Sequence, residues 1–182
     1  MAAANLSKIV EDQIDDLKME WLKEIRKSEY LKTYKTYSDN EVKSRGEAVY
    51  THLKDWLKEG ATNQSSEEYF EKVGEIRFKE RFPLTEVQYA IYLLKKIFWN
   101  SIDWRDKVTG SFETENATQI MNVFNDYFDF ASFSITKGYF NEMLNSISVN
   151  KMLSRDDLKS LLTKGQLDPE ELEDDEFVWR HV

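Results

Sequence analysis

The segment from Leu84 to Trp99 constrains the fold more than any other part of the chain. Thr85 and Gln88 have the spacing of a capping box, in which two free backbone N–H groups at a helix start are satisfied reciprocally. After this box, apolar residues recur at every third or fourth position, which is the pattern of one helical face. Further apolar residues widen that face, so we predict a helix that is buried on most sides. These apolar positions are Val87, Ala90, Ile91, Leu93, Leu94, Ile97, Phe98 and Ile102.

The rest of the chain contains the same combination of caps and helical stripes. An apolar stripe with charged residues opposite it runs from Leu6 to Ile25 and predicts an amphipathic N-terminal helix. Two further capping boxes predict helix starts, while a glycine and a proline segment predict helix ends. The boxes are Ser38 with Glu41 and Ser65 with Glu68, and the ends are Gly60 and Arg81-Phe82-Pro83.

The longest helical pattern runs from about Ala117 to Ser148 and is rich in aromatic residues. Between Ile120 and Phe140 it is apolar on almost every side, which is more surface than the facing helices of one small bundle readily cover. We therefore predict a homodimer built on this helix, with the N-terminal helix as a further candidate for the interface, because an interface with twofold symmetry would bury the excess. The alternative is a monomer in which the other helices wrap it completely.

Together these patterns predict an all-α protein, a single bundle of about six helices with a long helix near its C-terminal end. The chain has 182 residues, of which 41% are hydrophobic, and this is enough for one full core. Only two prolines and six glycines are present, which argues against loop-rich β structure. We assign residues 1–150 to the helical domain. Residues 151–182 are predicted to form a short helix followed by an acidic tail.

Charge and cysteine content exclude several classes of function. The net charge is −9, so we expect no nucleic-acid partner, since such binding depends on neutralising phosphates. There is no cysteine, which excludes disulfides, thiolate metal sites and cysteine catalysis. No apolar run reaches the length of about 18 residues that a membrane span needs, and the start of the chain lacks the pattern of a signal peptide. We therefore expect a cytoplasmic protein.

The sequence offers no catalytic or cofactor-binding motif. His52 and His181 are the two histidines, and neither lies in a nucleophile-bearing motif. Glycine-rich phosphate-binding motifs and Glu-x-x-His metal motifs are missing as well. We predict that the protein is not an enzyme and has no metal site and no cofactor. Haem is not expected, because the predicted central and long helices contain no histidine to bind its iron.

Two charged residues lie where the helical patterns are apolar. Arg77 shares the inward side of the third predicted helix, and Asp129 stands among Tyr127, Phe128 and Phe130. A charge on an apolar face is costly unless it is paired. We therefore predict that Arg77 and Asp129 form a buried pair or meet in a polar pocket. The alternative is that each side chain extends to solvent.

The last residues combine an acidic run with an apolar end. The run from Asp168 to Glu176 reads by itself as a solvated tail. Phe177 and Trp179 follow it directly, and exposed apolar side chains favour association. We predict that Phe177 and Trp179 bind to the body of the domain, to a second copy or to a partner protein, with the acidic run steering the encounter.

Four short motifs of this chain belong together: Gly74-Glu75-Ile76-Arg77, Phe82-Pro83-Leu84-Thr85-Glu86-Val87, Phe124-Asn125-Asp126-Tyr127-Phe128-Asp129 and Lys137-Gly138-Tyr139. Together they resemble the N-terminal domain of RsbT co-antagonist proteins of the RsbRD type. The resemblance covers roughly residues 7–147 and rests on the hydrophobic pattern and a few specific residues. The chain departs from the family pattern after Asn150, so nothing of a following STAS domain is carried over.

This resemblance implies a globin-like helical fold without haem, usually dimeric, that serves as a regulatory input in bacteria. By this likeness we expect a non-enzymatic signalling domain of the stress-response type that acts through contacts with an unidentified signalling protein. The alternative is a sensor for an apolar small molecule. Its pocket would lie between the central and the long helix, lined by Tyr92, Phe98, Phe124 and Phe128.

Overall fold

The computed structural model describes residues 2–61, 63–101 and 114–149. Within these ranges it contains six α-helices, one short 3-10 turn and no strand, which confirms the all-α prediction. The helix predicted after Ser154 and the acidic tail lie outside the described residues. The helices are α1 (Ala2–Glu11), α2 (Ile14–Lys27), α3 (Asp39–Lys58), α4 (Asn63–Lys79), α5 (Leu84–Ser101) and α6 (Thr114–Val149), and the 3-10 turn is Tyr34–Thr36.

The predicted N-terminal helix is divided into α1 and α2 by a break at Asp12 and Gln13. The apolar stripe continues across the break, and Leu17, Trp21 and Ile25 on α2 are buried in the core. Both helices pack on α3, while α2 also packs on α5. The stripe was therefore a correct guide to burial but not to the continuity of the helix.

Helix α3 begins and ends as the sequence predicts. At its start, Ser38 Oγ accepts a hydrogen bond from the Glu41 N–H at 3.3 Å, and a Glu41 carboxylate oxygen accepts one from the Ser38 N–H at 2.9 Å. At its end, Gly60 has a φ of 91°. The following Ala61 N–H donates to the Trp56 carbonyl at 2.9 Å, so the last turn closes in a Schellman motif.

Helix α4 ends in a second Schellman motif, although the residue in the left-handed conformation is Arg81, with a φ of 61°. The Arg81 N–H donates to the Phe78 carbonyl at 2.8 Å, and the Phe82 N–H donates to the Arg77 carbonyl at 2.9 Å. This turn directs the Phe82 side chain into the core, where it is fully buried. The start of α4 lies at Asn63, two residues before the predicted cap at Ser65.

Helix α5 is buried on most sides, as predicted, with Ala90, Leu94 and Phe98 almost fully enclosed. Its predicted capping box does not form. The helix begins at Leu84, and the N–H of Val87 donates to the Pro83 carbonyl. The Gln88 side chain is engaged elsewhere, because its amide bonds to residues of α6.

Helix α6 is the longest element, with 36 residues, and it packs along α4 and against α5. One side of it contributes aromatic and aliphatic side chains to the core. The crossing with α4 is very close because glycines, Gly74 on α4 and Gly138 on α6, face the backbone of the opposite helix. The core residues of α6 are Phe124, Tyr127, Phe128, Ala131, Ile135, Tyr139 and Met143.

Candidate functional site

The side of α6 that is turned away from the core is unusually apolar. We call this stripe the outer face; its members follow one another at intervals of three or four residues, so they lie on one side of the helix. Phe133 is 59% exposed and Leu144 is 56% exposed. Solvated helix faces are normally polar, and clustered exposed apolar residues mark interaction sites. The outer face consists of Asp126, Phe130, Phe133, Lys137, Phe140 and Leu144.

Ion pairs with α4 fix one flank of the outer face. The Lys137 ammonium lies 2.7 Å from a Glu67 carboxylate oxygen and 2.6 Å from a Glu71 carboxylate oxygen. Farther along the same flank, Lys79 of α4 pairs with Glu142 at 3.2 Å. Together with the close glycine crossing, these contacts set the rotation of α6 about its axis.

Hydrogen bonds with α5 fix the other flank. The Gln88 amide nitrogen donates to the Ser132 carbonyl at 3.2 Å and to the Thr136 hydroxyl at 2.7 Å, while the Ser132 hydroxyl donates to the Gln88 carbonyl oxygen. Lys95 pairs with Asp129 at 2.6 Å. Both flanks of α6 are therefore polar and paired, whereas four apolar side chains form a stripe between them. These are Phe130, Phe133, Phe140 and Leu144.

A second surface feature is a groove between α2 and α5 with a volume of about 880 Å³. Its apolar lining comes from Leu17, Met19 and Leu22 on α2 and from Leu93 and Ile97 on α5. Charged residues of both signs line its remaining surface. The Met19 side chain is 51% exposed, so part of the apolar lining is in contact with solvent.

The predicted ligand-pocket residues do not line a common pocket. Phe98, Phe124 and Phe128 are fully buried and pack ring against ring, with the Phe98 centroid 4.5 Å from that of Phe124 and 5.8 Å from that of Phe128. Three bulky rings at one level of two adjacent helices fill the space between them. Tyr92 lies outside this cluster, 52% exposed, with its ring stacked on Tyr89 at 5.6 Å.

The predicted pair of Arg77 and Asp129 does not form. Arg77 donates to the Glu80 carboxylate at 2.8 Å, and Asp129 pairs with Lys95 instead. The Asp129 side chain is 70% exposed. Its apolar sequence neighbours gave a misleading impression, because successive residues of a helix point in different directions. Arg77 is partly buried as predicted, but toward α3 rather than toward α6.

Glu80 has a second partner that sequence reasoning missed, Arg45 on α3. Its guanidinium makes two hydrogen bonds to Glu80, at 2.7 and 2.9 Å, and it lies 4.6 Å from the centroid of the Tyr37 ring. Burial by itself raises the pKa of Glu80, but the hydrogen bonds and charges of Arg45 and Arg77 outweigh burial and lower it. The cluster joins α3, α4 and the buried Phe82 ring, over which both guanidinium groups lie.

His52 is held in an aromatic cluster. Its ring stacks on Tyr69 at 3.9 Å between centroids, and its Nδ1 lies 2.9 Å from the Tyr127 hydroxyl. That hydroxyl also lies 2.9 Å from the Val49 carbonyl. Both contacts are hydrogen bonds when the hydroxyl donates to this carbonyl and the N–H at Nδ1 of His52 donates to the hydroxyl oxygen. Burial lowers the pKa of His52 to about 4, against a smaller opposing effect of Asp55. The imidazole is therefore neutral and structural near pH 7.

In residues 2–61, 63–101 and 114–149, no group of three or more His, Cys, Asp or Glu residues is arranged to hold a metal ion. None of the helices in these ranges has the length and apolar character that crossing a bilayer requires. Phe177 and Trp179, the predicted anchors of the tail, lie outside the described residues.

The sequence could have indicated part of this site. The apolar residues of the stripe are separated by three, seven and four positions, a spacing that places them on one side of a helix and is visible in the sequence. They are Phe130, Phe133, Phe140 and Leu144. Comparisons with protein-family models, with curated proteins and with solved structures find no match to this chain.

Proposed function

We propose that this chain is a non-enzymatic regulatory domain of the bacterial cytoplasm, of the RsbRD type and globin-like in fold, that acts through protein contacts. The observation that carries the proposal is the outer face of α6, where Phe133 and Leu144 stay more than half exposed on a helix whose flanks are fixed by polar contacts. An exposed apolar stripe on a rigid helix fits a binding surface for another protein.

The residues that carry the family resemblance support this proposal because they hold the fold together. Gly74 and Gly138 form the crossing of α4 and α6. Arg77 and Phe82 belong to the charged and aromatic cluster between α3 and α4. These motifs therefore belong to the scaffold that presents α6, and the outer face is the part of that scaffold which remains available for contacts.

We further propose that the protein is a homodimer and that a separate signalling protein binds the dimer. The apolar surface that the sequence predicts around α6 is covered by the core on one side only, and the outer face is what remains. A homodimer would use this face, because twofold symmetry lets one apolar patch cover an identical one.

Site-specific photo-crosslinking in the source cell tests the proposed function. A photoreactive phenylalanine analogue at Phe133 is compared with the same analogue at Tyr30, an exposed aromatic residue on another part of the surface, 72% accessible. We expect specific adducts at position 133 with another protein chain, identified by mass spectrometry as a second copy of this chain or as a signalling protein. Equal adduct patterns at the two positions would contradict a dedicated contact surface on α6.

A second candidate function, an apolar-ligand sensor, is favoured by the groove between α2 and α5. Its volume of about 880 Å³ lies within the range of small-molecule sites, roughly 300–1,000 Å³. The location differs from the pocket predicted between α5 and α6. Native mass spectrometry of the purified chain would show a retained ligand.

Two exposed methionines provide a matched test of the sensor. Met19 lies in the groove and is 51% exposed, while Met121 lies on α6 and is 46% exposed. If the groove holds the ligand, Met19→Glu should release it and Met121→Glu should not. Release by both variants, or by neither, would count against this groove.

A further inference from the structure

We propose that two copies of this chain pair α6 against α6 in antiparallel orientation, with Phe130 of each copy facing Phe133 of the other. This inference rests on the proposed function, since it uses the same outer face, and it adds the orientation and the register of the two helices. The occupant of the outer face is thus a second copy of the chain itself.

The apolar and charged residues of the stripe on α6 follow a heptad spacing. From Val123 onward, the residues of the stripe are separated alternately by three and four positions. This alternation is the heptad spacing of coiled-coil seams, in which side chains of one helix insert between those of the facing helix. The stripe covers three heptads. In a straight helix its direction turns by about 20° in each heptad relative to an exact 3.5-residue repeat. The stripe is the outer face, from Asp126 to Leu144, extended by Val123, a partly buried residue that also packs against the core.

One antiparallel register of two α6 helices brings residues of opposite charge together. When Phe130 faces Phe133 in an antiparallel pair, Lys137 faces Asp126 and Phe140 faces Val123. The residue numbers in each of these pairs add to the same total, so all three belong to one register. Because the arrangement has twofold symmetry, every pair occurs twice. The interface then has an aromatic centre with a pair of opposite charges on either side of it.

Other arrangements of the two α6 helices place the charged residues less favourably. A parallel pair in register would place Lys137 opposite Lys137, which is unfavourable because like charges face each other. Shifting the antiparallel register by half a heptad would place Lys137 opposite Phe133 and Asp126 opposite Leu144. Both charges would then face apolar groups. Charge complementarity therefore selects the first register, while the phenylalanines provide the buried area.

Lys137 already pairs with two carboxylates of its own chain, Glu67 and Glu71. A lysine ammonium has three N–H donors, so one remains for Asp126 of the second copy. Lys137 is 44% exposed in its side chain, so its ammonium group is accessible to Asp126 of the second copy. Complementary charges across an interface determine register and encounter rate more than affinity.

The register can be tested with cysteine pairs, because the natural chain contains no cysteine. Full-length Asp126→Cys and Lys137→Cys variants are mixed in equal amounts and oxidised, and a disulfide requires that their Cα atoms come within about 7 Å. We expect the mixed disulfide to dominate over disulfides between identical variants. Asp126→Cys mixed with Leu144→Cys serves as the matched control and should stay largely uncrosslinked.

Each outcome decides the proposal. Preferred coupling of positions 126 and 144 would show the shifted register and overturn the inference. Equal coupling of all combinations would indicate random collision and would overturn it as well. As an independent measurement, Asp126→Lys places two lysines opposite each other and should weaken the dimer about tenfold in sedimentation equilibrium. An unchanged dissociation constant would contradict the charge argument.

Experiments can contradict the α6 dimer without contradicting the proposed regulatory function. If light scattering gives a mass of 21.6 kDa at micromolar concentration, the chain is a monomer and the inference is wrong. Photo-crosslinks from position 133 to a different protein would still support the regulatory function in that case. Absence of any specific adduct at position 133, together with a monomer, would remove both.

Discussion

Gly74 of α4 and Gly138 of α6 lie at one helix crossing, and each faces the backbone of the other helix rather than a side chain. A Cβ atom on Gly74 would lie 2.7 Å from the Tyr139 nitrogen, and one on Gly138 would lie 2.7 Å from the Glu71 Cα. Both distances are shorter than real Cβ contacts, and a helix backbone has no room to move aside. The position of α6, and with it the position of the outer face, therefore depends on having glycine at both of these positions.

The first prediction concerns these two glycines. Gly74→Ala and Gly138→Ala should each destabilise the protein by about 3 kcal/mol, because the added methyl group overpacks a backbone contact. Helix propensity acts in the opposite direction and favours alanine by about 1 kcal/mol, so the sign of the change is informative. Urea denaturation followed by circular dichroism gives the free energy of unfolding.

Gly60→Ala is the control for this pair. Gly60 has a positive φ but no atom within 4 Å of the position of an added Cβ. Its replacement should cost about 1–2 kcal/mol through backbone strain alone. If Gly74→Ala or Gly138→Ala proves no more costly than Gly60→Ala, the close crossing is not a constraint on the fold.

Local signals allowed much of the fold to be predicted from the sequence. The Ser38–Glu41 box and the Gly60 stop were correct because their hydrogen bonds involve only neighbouring residues. The box at Thr85 was wrong because the Gln88 amide bonds to α6, and such a tertiary contact leaves no trace in local spacing. The break at Asp12 and Gln13 likewise lacks any glycine or proline to announce it.

The candidate site was less predictable, since it depends on which side of each helix meets the core. Sequence reasoning recognised that α6 is apolar nearly all round, but the side that stays exposed follows from how α4 and α5 pack on it. For Arg77 the sequence contains a nearer ion-pair partner than Asp129. Glu80 lies three residues away on the same helix, a spacing that brings side chains together, whereas Asp129 required a tertiary guess.

The second prediction concerns Glu80, whose carboxylate holds Arg45 and Arg77 together. Glu80→Gln should reduce the free energy of unfolding at pH 7 by about 1–2 kcal/mol. This is less than the 3–5 kcal/mol of a fully buried pair, because the Glu80 side chain remains 30% exposed. Thermal unfolding monitored by circular dichroism measures the loss.

The pH dependence of this variant provides a check on the mechanism. The pKa of Glu80 is lower in the folded state than its unfolded value of about 4.3. Its contribution to stability is therefore complete above about pH 4.3 and is lost as the pH falls through the folded pKa. The difference between the parent protein and Glu80→Gln should shrink below pH 4. A difference that stays constant with pH would assign the effect to packing.

The third prediction concerns Arg81, a non-glycine residue with a φ of 61° at the end of α4. The left-handed conformation costs an ordinary residue about 1–2 kcal/mol, and glycine adopts it without that strain. Because glycine also loses more backbone entropy on folding, the net gain for Arg81→Gly should be about 0.5–1 kcal/mol. Equilibrium unfolding in urea measures the shift. Destabilisation would mean that the Arg81 side chain makes a contact that outweighs the strain.

The last prediction concerns His52. Burial lowers its pKa to about 4, from about 6.5 in the unfolded chain, so the folded state disfavours the protonated form. Its contribution is present above about pH 6.5 and is lost as the pH falls toward 4, because the unfolded chain then binds a proton that the folded chain does not. We expect a loss of about 1–2 kcal/mol between these values after allowance for partial exposure. In a His181→Gln background, His52 is the remaining histidine, and its ring proton resonances report the titration directly. A midpoint near 6.5 would show that the stacked, Tyr127-bonded imidazole is open to solvent and to protonation.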